Sequence, residues 1–247
     1  MTKQNNVLIT GASRGIGAET ARLFADKGYS VCVNFKSNVK AAESIRQDVL
    51  ARGVDCILVK ADVSKPHDVA NMFETFDREL GELRVLVNNA GILRQQSNMV
   101  DISEQRFSEV LNTNVVGCFL CCKEAVKRMS KLNSGSIVNV SSKASISGSP
   151  HEYVDYAASK AAVDTLTRGL ALEVAAKGIR VNGVRPGLID TDIHAAGGEP
   201  GRVARLEGII PMRRGGKACE VAEAIFWLAS GQASFVTGSF IDISGGL

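Results

Sequence analysis

The sequence predicts an α/β architecture, a doubly wound parallel sheet of seven strands with helices on both faces, formed by residues 1–247 as one domain. Three observations predict it. Short apolar runs alternate with longer amphipathic stretches from one end of the chain to the other, the pattern of repeated βαβ units. The runs are apolar nearly throughout, as strands covered on both faces are, instead of alternating with polar residues. No internal repeat, low-complexity segment or linker interrupts the series, and α/β units of about 250 residues are common as single domains.

In order, strands are expected at Val7–Thr10, Val31–Phe35, Cys56–Val59, Val85–Asn88, Ile137–Ser141, Arg180–Arg185 and Phe240–Ile243, most of them bounded by turn residues. Helices are expected at Ile16–Lys27, Lys40–Ala51, Pro66–Leu80, Ser103–Lys131, Val154–Lys177 and Glu220–Ala229. Ser64 ahead of Pro66, and Ser103 ahead of Glu104, carry the side-chain oxygen that caps a helix start. Gly28, Gly53, Gly81 and Gly178 stand at helix stops, where glycine takes the left-handed conformation at little cost. Gly187–Gly216 breaks the rhythm with Gly197, Gly198, Pro200, Gly201 and Pro211. It reads as a long excursion covering a substrate, because long loops in compact domains are commonly functional.

Composition narrows the function. Lys plus Arg total 29 against 26 Asp plus Glu, a net charge of +3, too slight a surplus to grip a phosphate backbone, so no nucleic-acid partner is expected. Hydrophobic residues at 45% and charged residues at 22% exclude a disordered or fibrous chain. The polar start, residues 1–6, runs directly into Val7–Ile9 without the apolar stretch of a leader. The longest nearly apolar run, Val115–Cys122, is far short of the ~20 residues of a membrane span. A soluble cytoplasmic protein with no membrane partner is expected. Cys32, Cys56, Cys118, Cys121, Cys122 and Cys219 lack the dense spacing of a disulfide scaffold. Cys118 and Cys121 form Cys-x-x-Cys inside an apolar helical stretch, where packing is the expected role, and no cluster has metal-ligand spacing. His67 and His194 read as surface residues and His151 as the edge of a pocket.

The first strand ends in Thr10-Gly11-Ala12-Ser13-Arg14-Gly15-Ile16-Gly17, and a helix opens at once. Glycine lets the backbone turn tightly and approach a ligand, while the unpaired N–H groups and positive dipole of a helix start attract phosphate. In isolation this is a tight turn; after a first strand and before a first helix it points to a nucleotide. An NAD site places an acid roughly 20 residues beyond the glycines to accept the ribose 2′-hydroxyl. Here that stretch reads Asn34-Phe35-Lys36-Ser37, with no acid between Asp26 and Glu43. Lys36 and Arg14 suit a 2′-phosphate, so NADP(H) is expected over NAD(H), the alternative for both being ordinary solvated charge.

Chemistry is expected at Tyr156. Tyrosine ionises near pH 10 unless a neighbouring cation favours the phenolate, and Lys160, four residues on, shares its helix face. Tyr153 has Ala157 at that spacing and reads as a loop or pocket-wall aromatic. Ser141 and Ser142 are adjacent, and strand alternation allows only one of them to face Tyr156.

Glycines at 11, 15 and 17 depart from Gly-x-Gly-x-x-Gly and resemble the Thr-Gly-x-x-x-Gly-x-Gly of the short-chain dehydrogenase/reductase family. Asn88-Asn89-Ala90-Gly91, Asn114, Ser142, Tyr156-x-x-x-Lys160, Pro186-Gly187 with Thr191, and Val236-Thr237-Gly238 with Ser244-Gly245-Gly246 follow in that family's order. Glu152-Tyr153-Val154-Asp155-Tyr156 and Gly197-Gly198-Glu199-Pro200-Gly201-Arg202-Val203 look most like bacterial members named glucose 1-dehydrogenase-like or 3-oxoacyl-carrier-protein-reductase-like. The resemblance implies a Rossmann fold and hydride transfer to a carbonyl, with Tyr156 as proton donor and Ser142, in preference to Ser141, bonding the carbonyl oxygen. Lys160 would lower the Tyr156 pKa and hold the nicotinamide ribose, and Asn114 would anchor a water that feeds protons to Lys160. Gly11, Ser13, Arg14, Gly15, Ile16 and Gly17 would meet the phosphates, Asn34, Lys36 and Ser37 the adenosine ribose, and Asp62 and Val63 the adenine. Asn89, Ala90 and Gly91 would run along the cofactor, and Pro186, Gly187, Ile189 and Thr191 would hold the carboxamide. The Ser142-to-Tyr156 gap is one residue longer than is common in the family, with Gly148-Ser149-Pro150 inside it.

Three functions compete: an NADP(H)-linked reductase or dehydrogenase of a small polar substrate such as a sugar, a 3-oxoacyl-[acyl-carrier-protein] reductase, and a non-catalytic dinucleotide sensor. Intact Asn114, Ser142, Tyr156 and Lys160 argue against the sensor. Lys123, Lys127 and Lys131 recur at helical spacing as a solvated face, or as a dock for an acidic carrier. The two longest helical stretches carry apolar residues around much of their circumference, Phe107, Phe119, Leu166 and Leu172 among them. A second apolar face wants a second partner, so a homotetramer is expected.

Overall fold

A computed structural model describes residues 5–247; residues 1–4, part of the polar start, lie outside the described residues. The apolar runs form one parallel sheet. Its strands are β1 (Asn6–Ile9), β2 (Ser30–Phe35), β3 (Cys56–Lys60), β4 (Val85–Asn88), β5 (Gly135–Val140), β6 (Ile179–Pro186) and, after a short parallel pair β7 (Ile189–Asp190) and β8 (Gly216–Lys217), β9 (Phe240–Ile243). They stand in the order β3-β2-β1-β4-β5-β6-β9, every neighbouring pair parallel. This is the expected seven-stranded Rossmann arrangement. Strand order reverses between β1 and β4, and open α/β sheets bind ligands in the crevice beyond the strand ends at such a point.

The helices are α1 (Gly15–Asp26), α2 (Val39–Leu50), α3 (Pro66–Leu80), α4 (Glu104–Leu111), α5 (Gly117–Leu132), α6 (Ala144–Ser147), α7 (Val154–Val174), α8 (Ile193–Ala196), α9 (Arg202–Leu206) and α10 (Ala218–Ala229). Two apolar layers cover the sheet. Val7 and Ile9 of β1 pack with Phe24, Val49 and Ile225 from α1, α2 and α10. Leu8, between them, points to the other face with Phe73, Met129 and Val174 from α3, α5 and α7. Alternation along a strand is what divides one apolar run between two cores. Gly28, Gly53, Gly81 and Gly178 take φ of 79°, 79°, 81° and 67° at the helix stops.

Two local expectations need correcting. Ser103–Lys131 is not one helix: α4 and α5 are joined by a π turn, Asn112–Val116, and such turns commonly mark functional positions. Here it directs the Asn114 side chain inward, and the first residue after the turn, Gly117, lies against Val63, whose Cγ2 would be 2.8 Å from an added Cβ. Ser64 does not cap α3, whose N-cap is Lys65 without a side-chain bond; the Ser64 hydroxyl donates instead to Asp62 Oδ1 at 2.7 Å. Ser103 does cap α4, accepting from the Arg106 amide. Among the described residues no helix is long and apolar enough to cross a membrane.

Candidate active site

The glycine turn is held from below by buried polar side chains. Asn34, at the end of β2, accepts from the Gly11 amide at 3.1 Å and donates to Val59 O at 3.2 Å and Ala61 O at 3.1 Å. Both ends of its amide are bonded within the fold and the residue is 1% exposed, so the Asn34 side chain shapes the turn from beneath instead of facing a ribose. Thr10 Oγ1 accepts from the amides of Asn89 and Ala90 at 3.0 Å, and Asn89 Nδ2 donates to Thr10 O at 2.9 Å and Gly11 O at 3.0 Å. Those bonds tie the turn to the end of β4. Gly11 and Gly15 have φ of 61° and 54°, and a Cβ on Gly17 would lie 2.5 Å from Asn89 Nδ2 and 2.7 Å from Gly11 O. Only glycine lets the strand end and the helix start approach so closely. The first turn of α1 leaves its amides without intrahelical partners, and Ser13, Arg14, Gly15 and Thr191 line a cavity of about 410 Å³ that also borders Glu19 and Arg22 of α1 and Ser44 and Ile45 of α2. The glycine turn itself, with the unpaired amides of the α1 start, fits the pyrophosphate of a dinucleotide.

At the expected ribose end, Lys36 and Ser37 are exposed beyond β2. Lys36 Nζ pairs with Asp62 Oδ2 at 2.8 Å, which joins two residues expected to touch different parts of the nucleotide. Burial opposes ionisation of Asp62, but Lys36 and the Ser64 bonds outweigh it and hold the carboxyl below its usual range. Val63 is buried, packed against Gly117. Arg14 is exposed at the N-cap of α1.

At the other end of the crevice the two serines separate as alternation requires. Ser141 is buried and donates to Lys160 O at 3.2 Å, inside the fold. Ser142 accepts from the Ala144 amide at 3.1 Å and stands near enough to the Tyr156 phenol to favour its ionisation. Burial pushes the Tyr156 phenol up to about 12, against the pull of Ser142. Lys160 does not lower it here: its Nζ donates to Val140 O at 2.7 Å and lies 5.5 Å from the centre of the Tyr156 ring. Burial brings Lys160 itself down to about 8. Asn114 is buried, accepts from the Ile92 amide at 2.8 Å and donates to Ile92 O at 3.1 Å and Ser159 Oγ at 3.0 Å. Asn114 Oδ1 and Lys160 Nζ converge on Gly91, at 3.4 and 3.5 Å from where its Cβ would stand. The longer Ser142–Tyr156 connection is absorbed by α6 and a turn in which Gly148, Ser149 and His151 all take positive φ.

Pro186 and Gly187 close β6, with the Gly187 amide donating to Ile243 O at 2.9 Å. Ile189 O accepts from His194 Nε2 at 2.8 Å and, weakly, from Thr191 Oγ1 at 3.4 Å. His194 is therefore buried, contrary to the surface position expected for it; α8 folds it back under the segment, and burial depresses its pKa. His67 and His151 are exposed. Cys118, Cys121 and Cys122 pack in the core.

Three supports escaped the sequence reading. Thr10 anchors the glycine turn, and Ser159 links Asn114 to Tyr156 O by a 2.6 Å bond. Asp155, 1% exposed, accepts from the Tyr156 amide at 2.9 Å and pairs with Arg106 Nε at 2.7 Å, fixing the start of α7 against α4. An acid in the first turn of a helix was the available signal for Asp155; the other two carry none beyond a small polar side chain.

The family model described as enoyl-(acyl carrier protein) reductase matches residues 11–247. The chain is 57% identical over 242 residues to the Escherichia coli (strain K12) protein called uncharacterized oxidoreductase YgfF, covering 97% of this chain and 98% of that one. It is 38% identical over 247 residues to the 3-oxoacyl-[acyl-carrier-protein] reductase FabG of Staphylococcus aureus (strain N315), covering 100% and 98%. Among solved structures, NAD+-bound xylitol dehydrogenase superposes with a TM-score of 0.91 at 30% identity over 100% of both chains. ElxO with NADP bound gives 0.90 at 34% identity over 98% of both. With the parallel sheet, the glycine turn and the Ser142–Tyr156–Lys160 arrangement already in view, these matches show that the chain belongs to the short-chain dehydrogenase/reductase family of oxidoreductases.

Proposed function

We propose that this protein is an NADP(H)-dependent oxidoreductase moving a hydride between the nicotinamide and the carbonyl or secondary-alcohol carbon of a small polar substrate, a sugar among the candidates. The observation that carries the reading is the neighbourhood of Tyr156. Its phenol stands near Ser142 and is flanked by Lys160, and Asn114 converges with Lys160 on Gly91. When bound, the dinucleotide supplies the hydride in reduction and accepts it in oxidation.

The chain's own residues do the rest. Tyr156, held at about 12, keeps its proton through neutral pH and can give it to the substrate oxygen. Ser142 has a lone pair engaged by the Ala144 amide, which leaves its O–H to donate to the same oxygen as negative charge grows there. Lys160, at about 8, is charged at neutral pH. To favour the phenolate left after transfer, its ammonium, 5.5 Å from the ring centre, would have to turn from Val140 O toward the phenol, and Asn114, which converges with it on Gly91, would hold a water that returns the proton. The amides of Ser13, Arg14, Gly15 and Ile16 take the phosphates, Ile189 and Thr191 the carboxamide, and Lys36 with Arg14 the 2′-phosphate.

Residues 187–216 act as the substrate cover within a single domain. Phe107, Phe119 and Leu172, exposed at 39%, 46% and 83%, support a homotetramer, for which the cytoplasm is the location we propose. Following NADPH oxidation across ketones, aldehydes, aldoses and acyl thioesters, with NADP+ reduction in reverse, tests the assignment: turnover of small carbonyls by NADPH is expected, and no turnover of any class would overturn it. A second reading, reduction of a 3-oxoacyl group on a carrier protein, is supported by the FabG relative and by the exposed Lys123, Lys127 and Lys131. It wins if the thioester is reduced and the small carbonyls are not.

A further inference from the structure

Three stretches of chain meet beside the start of α7: the loop after β4, the turn that leads into α7, and residues 187–216, whose Gly197 lies against Leu93 and Tyr153 and whose Gly198 lies against Gln95. They are joined by charge. Arg202 in α9 takes both oxygens of Glu152, Nη1 to Oε1 at 2.9 Å and Nη2 to Oε2, and also reaches Glu199 Oε2 at 3.2 Å. Arg205 takes the two oxygens of Glu199 through Nε and Nη2, and Gln96, from the β4 side, donates to Glu199 Oε2 at 2.7 Å. The Arg202 guanidinium lies 5.1 Å from the centre of the Tyr153 ring, whose hydroxyl donates to Gly197 O at 3.2 Å. Arg202 is only 11% exposed, Glu199 20% and Glu152 26%. Lone surface ion pairs contribute little, but forked, half-buried pairs that share partners hold geometry together.

This network sits where a substrate would pass. Glu152 and Tyr153 stand just before Tyr156 in the chain, Gln96 just beyond Asn89–Gly91, and α9 crosses from one to the other. The same segment carries His194, whose Nε2 holds Ile189 O while its Nδ1 is buried without a partner among the described residues. Moving the cover therefore also moves the strap expected at the carboxamide.

We propose that Arg202 is the centre of an ionic latch that closes residues 187–216 over Tyr156, and that the closed latch selects free carbonyl substrates small enough to be enclosed against those borne on a long tether. The inference rests on Tyr156 as the proton donor and on 187–216 as the cover. An enclosed substrate gains from exclusion of water only when the segment closes. A tethered one must leave its tether between roof and wall, where Arg202 meets Glu152, so it gains nothing from the latch.

The test compares Arg202→Gln, Glu152→Gln and the charge exchange Glu152→Arg with Arg202→Glu. Two substrates share one reacting group, ethyl acetoacetate and acetoacetyl-coenzyme A. Arg202→Gln should lower kcat/KM for the ester by about tenfold, mainly through KM, and leave the thioester within about twofold. Affinity for NADPH, read by fluorescence, should stay unchanged, and the charge exchange should restore part of the ester activity. Equal losses on both substrates overturn the selectivity. Hydrogen exchange of residues 193–206 in the NADPH complex reads the latch without turnover: faster exchange in Arg202→Gln and Glu199→Gln supports it, and exchange equal to wild type overturns it. Should Tyr156→Phe remain active, the catalytic reading fails while the exchange result still decides the latch.

Discussion

The glycine cradle and the covering segment face each other across one crevice, with Thr191 within 3.5 Å of where a Gly15 Cβ would stand, yet they are built by opposite means. The cradle is backbone packed on backbone. Its polar side chains, Thr10 and Asn34, are 1% exposed, and each accepts or donates bonds from strand ends that the sheet has already positioned. The covering segment has short helices, is anchored in the core by Ile189 and Ile210 at its two ends, and between them is held by Arg and Glu side chains at its rim. One end of the crevice is fixed by steric closeness, which neither salt nor pH alters. The other is held by charge, as the proposed latch requires. A dinucleotide that stays through a turnover suits the first construction, and a substrate that must enter and leave suits the second.

Removing the chemistry between the two regions should have the largest effect while leaving both intact. Tyr156→Phe retains the ring and loses only the proton. Turnover should fall by at least ~100-fold, the scale of a deleted general acid, with NADPH binding and hydrogen exchange of both regions unchanged. Activity within a few-fold of wild type would transfer the role elsewhere, with no candidate better placed than Ser142.

A methyl group then separates the two constructions. Gly17→Ala puts a Cβ 2.5 Å from Asn89 Nδ2 and 2.9 Å from Ala12 Cα, and overpacking of that kind costs about 1–3 kcal/mol. Urea unfolding should show the loss, together with weakened NADPH binding. Gly201→Ala, in the cover, meets nothing within 4 Å at a φ of −86°, so stability and turnover should be unchanged. If Gly201→Ala proved as damaging as Gly17→Ala, the cover would be packed as tightly as the cradle and the contrast would fail.

The same contrast governs what could be read beforehand. Strand and helix positions were legible because periodicity and end signals such as Gly28 and Ser103 are local properties of the chain. The glycine turn and Tyr156–Lys160 were legible because their residue types suit few other tasks in that order. What was not legible depends on distant partners. Asn34 was expected at a ribose and turns out to brace Gly11, because its role is decided by the carbonyls of Val59 and Ala61 on a neighbouring strand. His194 was expected at the surface, since nothing local shows that α8 folds back onto Ile189. Asn114 was expected in a continuous helix, and the partners that receive it once the π turn aims it inward, Ile92 and Ser159, lie elsewhere in the chain. The latch was invisible for the same reason: Gln96, Glu152 and Arg202 are far apart in sequence.

Titration sharpens the comparison at the chemical end. With Lys160 at about 8 and Tyr156 at about 12, the reductive reaction has Lys160 charged and Tyr156 protonated below pH 8. Raising the pH removes the Lys160 charge first. A plateau of kcat/KM below about pH 8 should give way to a decline approaching tenfold per pH unit above it. Lys160→Met should flatten that limb at a low rate. A decline unchanged in Lys160→Met would assign the limb to another group.

The smallest effect is expected where the cradle borrows the cover's construction and depends on charge. Lys36 is 68% exposed and already paired with Asp62, so its attraction for a 2′-phosphate is screened by solvent and shared with a carboxylate. A fully desolvated phosphate contact would contribute more, but here about 1 kcal/mol, roughly fivefold in affinity, is the reasonable scale. Lys36→Ala should therefore weaken NADPH about fivefold and NADH hardly at all, since NADH offers no 2′-phosphate to lose. High salt should erase the same increment in the wild type, because exposed charges are the ones that ions screen. Equal weakening of both cofactors would mean that Lys36 acts by steadying Asp62, whose Ser64 bonds shape the turn after β3. A salt-independent preference for NADPH would instead move the discrimination to Arg14, beside the glycine turn, and make the cradle steric at both of its ends.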